Sequence, residues 1–193
     1  MRDKVLRKCR ESIAVKEKFF ECYADQISEL CQRMAERFQQ GGRLWVMGNG
    51  GSACDAQHVA VEFIHPIIEK RRPLAACDLV SQVPVLTAIA NDKDFAKVFV
   101  DQLELWGSSG DMALALSTSG QSPNLIYALQ TARKKDMLTI AFSGKDGGRL
   151  VDAANYGFVV PSFSIHRIQE SHVTLLHILW DLIHVAMGEE DVI

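Results

Sequence analysis

The chain contains no long apolar run, no Cys-x-x-Cys pair and no excess of basic side chains. Each absence removes a class of protein. Without a long apolar run, no segment reads as a membrane-spanning helix, and no membrane partner is expected. Without paired cysteines, the five that occur (Cys9, Cys22, Cys31, Cys54 and Cys77) do not form a disulfide framework. Their odd number and apolar contexts suit reduced, buried thiols in a cytoplasmic protein. With 21 basic against 24 acidic residues, a nucleic-acid partner is not expected. The basic clusters Lys70-Arg71-Arg72 and Arg133-Lys134-Lys135 read as solvated surface. The amino terminus is charged and helical, unlike a signal segment. There is no low-complexity tract, linker or repeat either, and 193 residues at 48% hydrophobic suit one domain over 1–193.

What is present changes character near residue 41. Residues 3–40 read as helical, with Ile27, Leu30, Cys31, Met34 and Phe38 at three- and four-residue spacing and Gly41-Gly42 as a stop. An earlier stripe through Leu6, Cys9, Ile13 and Phe20 suggests a separate first helix, with a break near Ala24-Asp25. From residue 43, short apolar runs alternate with helical patterns. The runs RLWVM, LAACDLV, MALALS, LTIAFS and YGFVV are apolar on successive residues, as buried parallel strands are. Helices are expected at about 53–65, 82–90, 94–106, 122–134, 147–153 and 165–187. The fold class is α/β, a doubly wound parallel sheet over 41–190 behind a helical extension at 1–40.

In such a sheet, ligands sit beyond the carboxyl ends of the strands. Three loops fall there: Gly48-Asn49-Gly50-Gly51-Ser52, Ser117-Thr118-Ser119-Gly120-Gln121-Ser122, and Ser143-Gly144-Lys145-Asp146-Gly147-Gly148. All are rich in glycine and hydroxyls, and each leads into a helix, whose free N–H groups attract anions. Together they read as a phosphate site carried mainly by Ser52, Ser117, Thr118, Ser119 and Ser122. Any one loop alone would be ordinary turn and cap chemistry. The first loop only approaches G-x-G-x-x-G, with Ala53 in last place, and a Walker A loop is absent. A small phosphorylated molecule fits better than a nucleotide.

After the first loop, His58 and Glu62 stand at i and i+4, on one helix face. They suit metal ligands, an acid–base pair or a structural hydrogen bond. Asp55, closer to the loop, is placed to cap or orient it. On the last helix, Gln169 and His177 are about 12 Å apart along the axis and differ in facing by about 80°. They can share a ligand only if it lies between their reaches, or if they act from different subunits. His166, His172 and His184 on the same helix read as polar-face or partly buried residues with backbone partners.

The stretches MGNGGSACDAQH, LSTSGQS, FSGKDGG and HRIQESH occur in that order. With their separations, they resemble the sugar isomerase (SIS) domain proteins of the phosphoheptose isomerase group, over residues 5–187. The resemblance implies five parallel strands flanked by helices and a homotetramer with sites between subunits. It implies interconversion of sedoheptulose 7-phosphate and D-glycero-D-manno-heptose 7-phosphate through an enediol, with Glu62 and His177 as the acid–base pair. It implies a divalent metal, zinc, on His58, Glu62, Gln169 and His177. The substrate- and phosphate-binding set is then Asn49, Gly50, Gly51, Ser52, Asn91, Asp92, Ser117, Thr118, Ser119, Ser122 and Gln169. The chain departs from the group at Pro66, where an Arg is common, at His166, where an Asp is common, and in a segment before Arg167 shorter by one residue. A related branch with that shorter segment binds the replication initiator protein and lacks the catalytic pair. The alternative is thus a non-catalytic module that binds a sugar phosphate or a protein.

Overall fold

The computed structural model describes residues 1–67 and 70–191. The first element, α1 (Arg2–Gln39), is one unbroken helix of 38 residues. The expected break at Ala24-Asp25 does not occur. Neither residue interrupts the i→i−4 ladder, as proline would. An aspartate in a helix interior costs at most about 0.7 kcal/mol, whereas burying one Leu or Phe side chain returns about 1.5–3 kcal/mol. The buried stripe Phe19, Ile27, Leu30, Met34 and Phe38 runs across the position and decides the matter. Before Phe19 the helix has no buried side chain, and Leu6 and Ile13 are exposed.

The sheet comprises β1 (Leu44–Gly48), β2 (Ala76–Asp78), β3 (Met112–Leu116), β4 (Leu138–Gly144) and β5 (Tyr156–Val160). All are parallel, in the order β2-β1-β3-β4-β5. Side chains alternate between two apolar layers. Leu44, Val46, Leu114, Ile140 and Phe142 join α1, α2 (Gly51–Ile64) and α7 (Ile165–Ala186) on one face. Trp45, Met47, Ala113, Ala115 and Ala141 face α4 (Val100–Trp106), α5 (Pro123–Lys134) and α6 (Gly148–Asp152) on the other. The small residues Ala113, Ala115 and Ala141 let α5 approach the second face.

Some elements differ from expectation. The strand expected over LAACDLV pairs only through Ala76, Cys77 and Asp78 and is not buried. It is an edge strand with one neighbour, just after Pro73, which cannot donate to a ladder. The helix expected over 94–106 is a 3-10 turn at Phe95–Lys97, capped by Asp94, followed by α4. Upstream lies α3 (Val83–Asp92), which has no buried residue. Only Cys31 is buried; Cys9, Cys22, Cys54 and Cys77 are exposed, because they fall on outward positions of helices and on the edge strand. Among the described residues, no helix is long and apolar enough to cross a membrane.

Arg71 was expected on the solvated surface and is instead buried. Its guanidinium pairs with Asp181 at 2.5 Å, lies 4.7 Å from the centre of the Trp180 ring, and donates to the Glu190 carbonyl at 3.1 Å. Of the three α7 histidines expected to have backbone partners, His172 and His184 have them, while His166 is exposed. His184 bonds the Trp180 and Arg72 carbonyls, and His172 donates through Nε2 to the Ser143 carbonyl at 3.0 Å. Burial pushes the His172 pKa down to about 4, so the ring is neutral and ties α7 to the end of β4.

Candidate active site

The order β2-β1-β3-β4-β5 reverses direction between β1 and β3, and the carboxyl ends beside such a reversal form a crevice. The loops leaving those two strands are 48–52 and 117–122. They are stitched together by a reciprocal amide pair, Asn49 Nδ2 to Asn124 Oδ1 at 3.0 Å and Asn124 Nδ2 to Asn49 Oδ1 at 2.9 Å. Asn124 was not picked out from the sequence. Its only signal there is its place in the first turn of the helix after the serine-rich loop.

Within the second loop the hydroxyls divide. Ser117 is buried and its Oγ accepts from the Gly120 N–H at 3.0 Å, so it braces the turn. Ser119 accepts a longer bond of 3.3 Å from Gln121 N–H. Ser122 occupies the N-cap of α5 without using its side chain as a cap. Thr118, Ser119 and Ser122 are half-buried, and Ser52 is buried. The third loop is a buttress. At Gly120, with φ 65°, an added Cβ would lie 1.9 Å from the Gly147 carbonyl oxygen, and Leu150 N–H bonds the Gly120 carbonyl at 2.9 Å. Gly147 and Gly148 serve backbone contact with the second loop, while Gly144 makes room for Ile168 of α7.

Two helices bring the remaining side chains together. His58 and Glu62 leave α2 one turn apart, with Nε2 and Oε1 separated by 3.2 Å. His177 reaches them from α7 of the same chain, its Nε2 lying 3.3 Å from that of His58. All three ligand atoms fall within 4.8 Å of one another. Gathering His177 with this pair therefore requires no second subunit, which removes one motive for the expected tetramer. Gln169 lies two turns nearer the start of α7, and its amide rests on the opening turn of α2. A Cβ on Gly51 would stand 2.4 Å from Gln169 Nε2. Gln169 thus faces the glycine loop.

Asp55 does not cap α2, which has no side-chain cap. Its Oδ2 is buried without a hydrogen-bond partner. Burial pushes its carboxyl up, and neighbouring His58 acts in the opposite direction. Asn91 and Asp92 end α3, exposed and hydrogen-bonded to each other at 2.7 Å. Pro66 follows the last turn of α2 and stops the helix where another turn would have carried a side chain onward.

The donor set suits a divalent ion. Two donors at about 2.0–2.1 Å from a tetrahedral zinc ion stand roughly 3.3–3.4 Å apart. The observed separations of 3.2 and 3.3 Å are close to that edge length. Two imidazoles and a carboxylate are also the donors that zinc accepts.

A parallel sheet with a glycine turn, a serine loop at its reversal point and a His–Glu–His cluster on two neighbouring helices belongs to a recognised class. The SIS domain model matches residues 9–144. The chain is 42% identical to the phosphoheptose isomerase of Thermodesulfovibrio yellowstonii over 187 residues, 97% of this chain and 93% of the relative. It is also 42% identical to that of Aquifex aeolicus over 189 residues, 98% and 99% of the two chains. Among solved structures, the phosphoheptose isomerase of Neisseria gonorrhoeae superposes with a TM-score of 0.86 at 35% identity, covering 94% of this chain and 97% of that one. That of Francisella tularensis gives 0.89 at 32%, covering 95% and 97%. The chain belongs to the SIS domain family. Within it, the chain falls in the phosphoheptose isomerase group and is an isomerase.

Proposed function

We propose that this sugar-phosphate isomerase interconverts sedoheptulose 7-phosphate and D-glycero-D-manno-heptose 7-phosphate. The convergence of His58, Glu62 and His177, two of them on the helix that leaves the glycine loop, carries this reading. Thr118, Ser119 and Ser122, with Ser52 and the turn at Asn49–Gly51, hold the phosphate. Gln169, set against Gly51, orients the open sugar chain. Glu62 removes the C1 proton of the ketose, leaving an enediol, and returns a proton to C2 to give the aldose. His177 moves the proton between O1 and O2. His58, Glu62, Gln169 and His177 are the residues that would hold zinc, which when bound supplies Lewis-acid polarisation of the carbonyl.

The phosphoheptose isomerases among its relatives support the heptose, while Pro66 and His166 mark where this chain departs from its group. The assay is conversion of sedoheptulose 7-phosphate by zinc-loaded protein. Turnover of a different ketose phosphate in its place would keep the isomerase and replace the sugar. No turnover of any ketose phosphate would favour the non-catalytic module. We further place the enzyme in the cytoplasm, supported by five unpaired cysteines, and assemble it as a homotetramer. The exposed Val5, Leu6 and Ile13 of α1 support assembly. A fully active monomer in sedimentation would overturn the tetramer.

Ser119→Ala raises KM for the phosphorylated substrate about 10- to 100-fold, with kcat and thermal stability nearly unchanged. Its hydroxyl meets the phosphate equally in ground and transition states, and a hydrogen bond to a charged group is worth about 1.5–3 kcal/mol. Steady-state kinetics with a melting curve check this. A drop in Tm alone would make the loop a structural turn.

A further inference from the structure

At the opposite edge of the sheet, where β4 and β5 begin, a hollow of about 630 Å³ opens between α1 and the end of α5. It lies about 20 Å from the serine loops, the length of a seven-residue strand. Arg33 and Arg37 project into it from one face of α1, and Arg133 from the last turn of α5. Arg33 is shared with Glu36 at 3.6 Å. Among the described residues, Arg37 and Arg133 form no ion pair. Each stands in the last turn of its helix, where the helix dipole favours a cation. That effect explains a basic residue at each end, but not why both line a single hollow.

Two carboxylates also line the hollow. Glu29 is already engaged, accepting from the Tyr156 hydroxyl at 2.5 Å. That phenol remains a donor at neutral pH, because burial and Glu29 push its pKa up to about 12. Asp136 sits on the turn after α5 at φ 63°, a left-handed conformation usually left to glycine. Arg33 is answered by Glu36, and Glu29 and Asp136 bring the carboxylates around the hollow to three against three guanidiniums, so what the hollow offers an anion is Arg37 and Arg133, the two guanidiniums without an ion pair. Guanidinium groups on two walls suit an anion with charge at both ends.

We propose that this hollow is a second ligand site, taking a compact bisphosphate across Arg37 and Arg133, with Arg33 closing the α1 side. It is separate from the catalytic site and does not depend on which sugar is turned over there.

The test is isothermal titration of the full-length protein with 2,3-bisphosphoglycerate, while the catalytic site is kept saturated with sedoheptulose 7-phosphate. Saturable binding is expected that weakens with added salt. It should weaken about 10- to 100-fold in the Arg37→Gln/Arg133→Gln variant, the worth of losing charged hydrogen bonds. Ser119→Ala should leave it unchanged, and the arginine variant should keep wild-type turnover. Arg133→Gln alone, at an exposed position, repeats the test should the double variant melt early. Binding that survives loss of the arginines, vanishes in Ser119→Ala, or is absent from the saturated wild type overturns the proposal.

Discussion

Replacing Glu62 by glutamine lowers kcat about 10²- to 10⁴-fold, the usual contribution of general acid–base catalysis. The substitution keeps size and packing. The contact with His58 Nε2 at 3.2 Å can persist through the amide oxygen. What goes is the negative charge and the basicity. Binding of the sugar phosphate survives, because the loops at 48–52 and 117–122 do not involve position 62. Zinc affinity also falls, since a neutral amide is a poorer ligand than a carboxylate. The two losses are separable by titrating zinc into the variant and measuring turnover. Turnover that stays low at saturating zinc identifies Glu62 as the base. Full recovery would show that Glu62 only holds the ion, leaving His177, 3.3 Å from His58, as the group that moves the proton. Unimpaired turnover without added zinc would reject both roles.

Arg71→Ala destabilises the protein by about 3–5 kcal/mol, the cost of removing one partner of a buried ion pair. The Arg71 side chain is 2% exposed and Asp181 14%. Without the guanidinium, the Asp181 carboxylate is left inside with no counter-charge, and the Trp180 ring loses the cation stacked on it. At about 2–4 °C per kcal/mol for a chain of this size, Tm falls by roughly 6–20 °C. Arg71→Ala with Asp181→Ala should recover part of the loss, because the uncompensated charge goes too. A Tm shift of a degree or less in the single variant would return Arg71 to the solvated surface assigned from its neighbours Lys70 and Arg72.

Both variants probe features that stand differently in the sequence. The strands after residue 43 were legible because a parallel sheet covered on both faces needs apolar residues in succession. The glycine and serine loops were legible because their chemistry is local, and His58 with Glu62 because helical spacing fixes their common face. Ordered as they are, those stretches also carried the family resemblance. By itself, then, the chain determined its doubly wound sheet, its reversal-point loops and two of the three side chains in the His58–Glu62–His177 cluster.

Tertiary structure decided the rest, since it depends on which surfaces meet. Packing of α7 against α2 brings His177 to His58 and sets Gln169 on Gly51. Helical geometry alone, with about 12 Å between Gln169 and His177, left that meeting open. Burial of α1 against α7 and β5 kept one helix whole across Ala24-Asp25. The pairing of Asn49 with Asn124, 75 residues apart, joins the two loops. Arg71 and Asp181, 110 residues apart, become a buried pair for the same reason. Long-range contacts of this kind leave no periodicity for local reading, because each partner alone is an ordinary polar residue until the fold removes it from water.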